Sequence, residues 1–351
     1  MHTPKQITAS LLVLLSLLLF SGCTTFGKHP KNVSPPRFEI TAPDGTIVTQ
    51  DQMIDAAAKA DVVFVGETHT NRAAHHLEYA ILKGLLERRK EGEAPSVVLA
   101  LEMLERDLQV ITDEYLSDTI TEMHFMAAGR PWGNYMGAYR RTVNLAKESG
   151  APVVASNAPR RYVNLVGRKG RDALSALSPE AKTWLAPLPY GEASETYRAK
   201  LKALEKEFRG PESENKKKKS PHGDDTPKAS AHPSPHGQAH AKTDQPETPH
   251  NDKEKLPDSG IDPDAQALWD ATMAWSIAQA RQNWPNALVL HINGAFHSEG
   301  GLGIPEHLAR YSPDAKVVII TIRPKETKVP TDPKPIFKAP GRVLEYEVRT
   351  L

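Results

Sequence analysis

Two short phrases far apart in the chain, Gly66-Glu67-Thr68-His69 and Gly294-Ala295-Phe296-His297, each close an apolar run with a glycine followed three places on by a histidine. The first follows Asp61-Val62-Val63-Phe64-Val65 and the second follows Ala287-Leu288-Val289-Leu290-His291-Ile292. Both histidines are therefore expected just beyond the carboxyl end of a strand, which is where open α/β sheets bind ligands. Other polar groups take the same position: Glu102 after a second apolar run, Asn157 after a third, and Asn293 beside the second glycine phrase. Carboxylate and imidazole together can hold a divalent metal or move protons. The glycines suit a sharp strand-to-loop turn with close backbone approach. The plainer alternative is that Glu67 and His69 cap the following helix while His297 is a hydrogen-bonded core residue. Four strands ending in such groups favour a site.

A second constellation lies in Arg130-Pro131-Trp132-Gly133-Asn134-Tyr135-Met136-Gly137-Ala138-Tyr139-Arg140-Arg141. Tyr135 and Tyr139 are one helical turn apart, which puts both on one helix face with Trp132 near the preceding turn. A phenolate is a hard anionic donor suited to ferric iron, including haem iron. Arg130, Arg140, Arg141, Arg160 and Arg161 could pair with carboxylates such as haem propionates. Aromatic side chains at this spacing also serve simply as core. His75, His76 and His124 show no partner in sequence and are expected on the surface, and Trp269, Met273 and Trp275 on the apolar side of a core helix over 265–284. A serine nucleophile elbow is absent, and Gly300-Gly301-Leu302-Gly303 lacks the Lys-Ser/Thr of a phosphate loop.

The elements that must carry these groups follow from five β-branched runs: 62–65, 97–101, 153–155, 288–292 and 317–322. Most lack polar alternation, as strands buried on both faces of a parallel sheet do. Apolar periodicity predicts helices over 72–90, 107–117, 135–148, 159–169, 179–185 and 192–208, with Ser178-Pro179 as N-cap and first turn of the fifth. Alternation of strand and helix predicts an α/β, Rossmann-like, mostly parallel sheet flanked by helices. Helices with no strand between them predict a smaller helical subdomain.

The formal charge is +1, so no electrostatic footprint for nucleic acid is present. Residues 1–22 read as a lipoprotein signal peptide, with Lys5 ahead of an apolar run over 11–20. Phe20-Ser21-Gly22-Cys23 resembles a lipobox, with Phe20 where an aliphatic residue is usual, and Cys23 is the only cysteine in the chain. Acylation at Cys23 would anchor the protein rather than span a bilayer, and Thr24 at the second mature position favours the outer membrane. Disulfides and cysteine chemistry are then excluded from the mature domain. A tether over 23–36 leads to the first part of the α/β domain with its helical subdomain, 37–209. Residues 210–260 read as a disordered His/Lys/Pro-rich linker, and 261–351 as the second part of the domain. The linker holds His222, His232, His236, His240 and His250, which suit either a weak collector of metal or haem or a merely solvated segment.

These residues resemble a family. The lipoprotein signal, Val-Phe-Val-Gly66-Glu67-Thr68-His69, Leu101-Glu102-Met103, Tyr139-Arg140, Ser156-Asn157-Ala158-Pro159-Arg160, Asp270-Ala-Thr-Met273 and Asn293-Gly-Ala-Phe-His297 resemble the ChaN haem-binding lipoproteins of the Tiki superfamily. The resemblance implies a role in haem or iron uptake, with haem held at a homodimer interface and a tyrosine as axial ligand. Aligning the family's Tyr-Arg-Pro-Leu segment puts that tyrosine on Tyr139, where Arg141 stands in place of proline and Tyr135 competes. Arg130 or Arg160 would lie near propionates, and His69 and His297 would line the cleft. The same superfamily implies an alternative, a metal-dependent hydrolase using Glu67, His69, Glu102 and His297.

Overall fold

The computed structural model describes residues 36–89, 95–209, 262–325 and 343–351. The signal segment, Cys23, the tether up to residue 35 and the histidine-bearing linker lie outside the described residues. The order is β1 (Phe38–Thr41), β2 (Ile47–Val48), α1 (Gln50–Ala57), β3 (Val62–Glu67), α2 (Arg72–Arg88), β4 (Val97–Glu105), α3 (Gln109–Leu116), α4 (Glu122–Ala128), the single turn α5 (Tyr135–Ala138) and α6 (Arg140–Ser149). It continues with β5 (Val153–Asn157), α7 (Arg160–Lys169), α8 (Pro179–Thr183), α9 (Glu195–Arg209), α10 (Pro263–Asn283), β6 (Leu288–Gly294), α11 (Ile304–Tyr311), β7 (Val317–Pro324) and β8 (Val343–Thr350).

All five β-branched runs are strands. They pair in the order β2-β1-β8-β7-β3-β6-β4-β5. From β8 to β5 every neighbour is parallel; β1 runs antiparallel to β8 and to β2. The sheet is therefore mixed but mostly parallel, with helices on both faces. Apolar periodicity does not single out β1, β2, β8, α1, α4 or α11, and Val343–Thr350 alternates because only part of it is buried. The capping serine does what its position predicts, Ser178 accepting from the Ala181 amide.

Side chains that alternate across the central strands feed two cores. Val63, Val65, Leu99, Leu101, Leu290 and Ile320 pack with helices α1 to α6, and Val62, Phe64, Val98, Val289 and Ile319 with α10 and α11. A third cluster holds no strand residue: Val163, Leu174, Leu185, Tyr197 and Leu268 join α7, α9 and α10 in a helical layer beyond the sheet. Met273 is fully buried in the second core, as the expected core helix requires.

Strands β3, β6 and β4 are adjacent, so the two glycine phrases end side by side: Gly66 is opposite Asn293 and Glu67 opposite Gly294. Beside them, β4 slips register against β5 between Leu101 and Glu105, which places Glu102 in a bulge. Bulges of this kind re-aim a side chain at a strand end. The two phrases also touch. A Cβ on Gly66 would lie 2.9 Å from the Cα of Ala295 and 2.9 Å from Ser298 Oγ, and one on Gly294 would lie 3.0 Å from His69 Cε1. Backbone cannot yield as a side-chain tip can, so Gly66→Ala is expected to destabilise the fold by about 1–3 kcal/mol, read as a lowered midpoint in chemical denaturation. An unchanged midpoint would show that the contact is slack.

Candidate functional site

The strand ends bring Glu67, His69, Glu102, Tyr139 and His297 into one connected set. Glu67, the last residue of β3, is 2% exposed. Its Oε1 accepts from the Tyr139 hydroxyl at 2.8 Å and lies 2.6 Å from His69 Nδ1; its Oε2 is buried without a hydrogen-bond partner. Glu102 turns inward from the bulge, where Oε2 accepts from the Gly294 amide at 2.7 Å and Oε1 lies 3.6 Å from His297 Nε2. Asn157 donates to the Glu102 carbonyl and steadies the bulge. Asn293 ties the turn after β6 by donating to Ser298 Oγ and the Gly294 carbonyl. Asn71, rather than Glu67 or His69, caps α2 by accepting from the amides of Ala73 and Ala74.

Tyr135 and Tyr139 part company. The helix breaks at Tyr139, which joins α5 to α6. Tyr135 is fully buried, its ring 5.6 Å from Phe125, itself stacked on Tyr115, so it belongs to the core. Tyr139 instead faces Glu67, with the rings of His75 at 4.9 Å and Trp132 at 5.9 Å. Burial, with Glu67 and Glu78 nearby, raises the Tyr139 pKa far above the usual phenol range. Trp132 in turn meets His69 edge-on at 4.5 Å.

The arginines form the rim. Arg130 and Arg160 are exposed and reach Glu105 at 3.7 and 3.6 Å, and Arg161 meets Asp107 at 2.5 Å. The Arg130 contacts, which include Asp107 at 3.5 Å, and the Arg160 contact are long and solvent-facing, which leaves those two guanidinium groups available to another anion, whereas Arg161 is held by its short bond to Asp107. Arg140 is committed to Glu122 through two hydrogen bonds, and Arg141 lies over the Tyr79 ring. Phe296 packs on Tyr197 at 5.3 Å and under Lys200, away from Tyr139's aromatic neighbours.

Two findings depart from the sequence expectations. His75 is not a surface residue: it is 7% exposed, with Nδ1 3.2 Å from both carboxylate oxygens of Glu78 and Nε2 3.2 Å from the His69 carbonyl. The His-x-x-Glu spacing on a helix, which brings both side chains to one face, was the available signal. His297 has an unforeseen partner in Asp270, fully buried on α10, with Oδ1 2.5 Å from Nδ1. Among the described residues, only Glu67, His75 and Glu78 bring three donor atoms within 4.8 Å of one another. The paired-histidine set of the hydrolytic alternative, His69 and His297 with a glutamate, is not gathered that closely.

The electrostatics of His297 follow from its neighbours. Burial lowers its pKa, but the charges of Asp270 and Glu102 outweigh burial and raise it to about 9. Its Nδ1 is committed to Asp270, while Nε2 lies 3.4 Å from the Gln266 side chain and 3.6 Å from Glu102, so the charged imidazole is held by Asp270 and within the field of Glu102. Because the folded pKa exceeds the unfolded value of about 6.5, its stabilising contribution is complete below pH ~6.5 and is lost as pH rises through 9. Unfolding free energy is expected to fall by about 2–3 kcal/mol across that window, and His297→Gln should remove that fall. Urea titrations between pH 6 and 10 test this, and parallel curves for both proteins would refute it.

A family model described as haem-binding uptake, Tiki superfamily, ChaN, matches residues 53–308. Among solved structures, the chain is similar to one described as cofacial heme binding to ChaN of Campylobacter jejuni, with a TM-score of 0.57 and 17% identity over 90% of this chain and 97% of that one. That likeness is one of fold. A mutant of the erythromycin esterase EreC in its open conformation gives a TM-score of 0.40 and 12% identity, covering 90% of this chain and 83% of that one. No curated protein matches the chain by sequence. With the family model spanning most of its length, the chain belongs to the ChaN haem-binding uptake family of the Tiki superfamily.

Proposed function

We propose that this chain binds ferric haem at the strand ends, with Tyr139 as the iron ligand and no chemical turnover. The observation that carries this is the Tyr139 hydroxyl held 2.8 Å from Glu67 Oε1 while Glu67 Oε2 has no partner. The donor chemistry fits: bound haem supplies a ferric centre that favours a phenolate oxygen, and Glu67 is in place to take the proton that Tyr139 must lose. His69, 42% exposed on its side chain, shares Glu67 and steadies its charge. Tyr139 is only 2% exposed, so Trp132 must swing aside for a ligand to reach it. Trp132 rides on the segment entered through Arg130, a non-glycine residue at φ 46°, a conformation retained only where the surroundings impose it. Arg130 and Arg160 then meet the propionates as charge-assisted partners.

The haem of the Campylobacter jejuni protein is described as cofacial. Two copies of this chain, each contributing one haem, would supply such an arrangement, and Met123 and Met136, both well exposed on α4 and α5, offer apolar surface for that homodimer. Cys23 supports a lipid-anchored location on the periplasmic side of the outer membrane, where haem arriving from outside is met first.

Titration of the mature protein with ferric haem is expected to give a saturable Soret shift and a phenolate charge-transfer band. Tyr139→Phe should abolish that band and weaken binding at least about tenfold, the worth of one lost coordinating interaction of ~1.4 kcal/mol or more; unsaturable binding in the parent protein would overturn the reading. In bacterial cells, radiolabelled palmitate should enter the parent chain but not Cys23→Ser, and equal labelling of both would remove the lipid anchor from the proposal.

A further inference from the structure

Beside Tyr139, whose ring is 4.9 Å from that of His75, the chain has a buried group of three donors that haem binding does not use fully. His75 and Glu78 stand one helical turn apart on α2, and Glu67 meets them from the end of β3. They are 7%, 0% and 2% exposed, and one donor atom from each lies within 4.8 Å of the others.

The hydrogen bonds specify what belongs between them. His75 Nε2 faces the His69 carbonyl, which can only accept, so Nε2 carries a hydrogen. Nδ1 then faces Glu78 Oε1 and Oε2, both at 3.2 Å. The contact needs either a proton shared between His75 and Glu78, whose carboxyl burial pushes upward, or a cation in the proton's place. A histidine ligand commonly anchors its second nitrogen on a backbone carbonyl, as His75 does. Metal–donor distances of about 2.0–2.2 Å put neighbouring ligands ~2.8–3.6 Å apart for octahedral to tetrahedral angles, which brackets the His75–Glu78 separation. Glu67 brings one carboxylate oxygen into that set, and its Oε2 is buried with no hydrogen-bond partner. Two carboxylates also neutralise a divalent ion, as burial of charge demands.

We propose that Glu67, Glu78 and His75 Nδ1 form a buried site for one divalent transition-metal ion of the Mn2+ to Zn2+ series in the haem-free protein. One imidazole with two carboxylates suits that series better than Mg2+ or Ca2+, which take all-oxygen shells. In its absence a proton holds the place, so metal entry displaces that proton.

The probe is Co2+, titrated without haem into full-length protein freed of metal by chelation. The expected result is one saturable equivalent with visible d–d absorption, and an X-ray absorption shell of one imidazole nitrogen with oxygens. Glu78→Gln, nearly isosteric, and His75→Gln should each weaken that equivalent by more than about 100-fold, beyond the loss typical of an outer-shell change. His124→Gln, at an exposed position on α4, should retain it, and the linker histidines contribute equally in every variant. Absence of a saturable band in the parent protein would overturn the proposal, as would a shell of two or more imidazoles, retention in Glu78→Gln or loss in His124→Gln. The spectrum of the parent protein decides the matter even if a substitution prevents folding, and failure of haem binding would leave it untouched.

Discussion

The site depends on the close contact between the ends of β3 and β6. Gly66 has no room for a side chain because Ala295 backbone occupies that space, and Gly294 approaches the ring of His69 in the same way. The contact is reciprocal: each phrase supplies the glycine that lets the other pass. Parallel pairing of the strands, with Gly66 opposite Asn293 and Glu67 opposite Gly294, fixes the register in which this can happen. A slip of one residue would turn Glu67 to the opposite face of the sheet. Every functional distance at the site is inherited from that register.

Once the strand ends are joined, the cluster must solve a charge problem. Glu67, Glu78, Glu102 and Asp270 are all buried, and isolated buried carboxylates are costly. The chain answers with imidazoles: His69 on Glu67, His75 on Glu78, and His297 between Asp270 and Glu102. Burial lowers the pKa of all three histidines, yet the carboxylates outweigh it and raise each above its ordinary value. His291, buried in β6 against Ser156 and Asn293 with no carboxylate bonded to it, shows the contrary case and falls to about 4. His75 and His297 thus differ from a core histidine through their partners rather than through depth, while the more exposed His69 differs in both.

Much of this was legible in the sequence. The five β-branched strands could be read because burial on both faces demands uninterrupted apolar runs, and the two glycine phrases marked where the adjacent strands β3 and β6 end. Strand β8 could not, since Val343-Leu-Glu-Tyr-Glu-Val-Arg-Thr is half-buried and alternates. The pairing of Asp270 with His297 was hidden for a different reason. Asp270-Ala-Thr-Met273 was visible as a segment resembling the family, but an acid inside the long, mostly buried α10 carries no periodic signal for a partner 27 residues on. The separation of Tyr135 from Tyr139 was equally hidden, because a spacing of four assumes one continuous helix. The backbone at Tyr139, φ −101° and ψ −22°, departs from the regular helical values and joins two helices.

That departure is what gives the two tyrosines separate fates. Tyr135 turns into the packed ring cluster of Tyr115 and Phe125, where its ring is fully buried. Tyr139 turns to a charged acceptor, and a hydrogen bond to a charged group is worth about 1.5–3 kcal/mol. Holding Tyr139 on Glu67 beside Trp132 therefore keeps the phenol protonated, since the adjacent carboxylate opposes loss of its proton. Under the proposed haem-binding role a ferric centre would reverse that balance, because its positive charge favours the phenolate and the proton would have Glu67 beside it to go to. Opening would cost the Trp132 contact and this hydrogen bond, and a large planar apolar ligand could return both through its own burial. An anion or small metabolite, lacking that apolar area, could not. In that role the covered state of Tyr139 would itself be a source of selectivity for a porphyrin over smaller iron chelates.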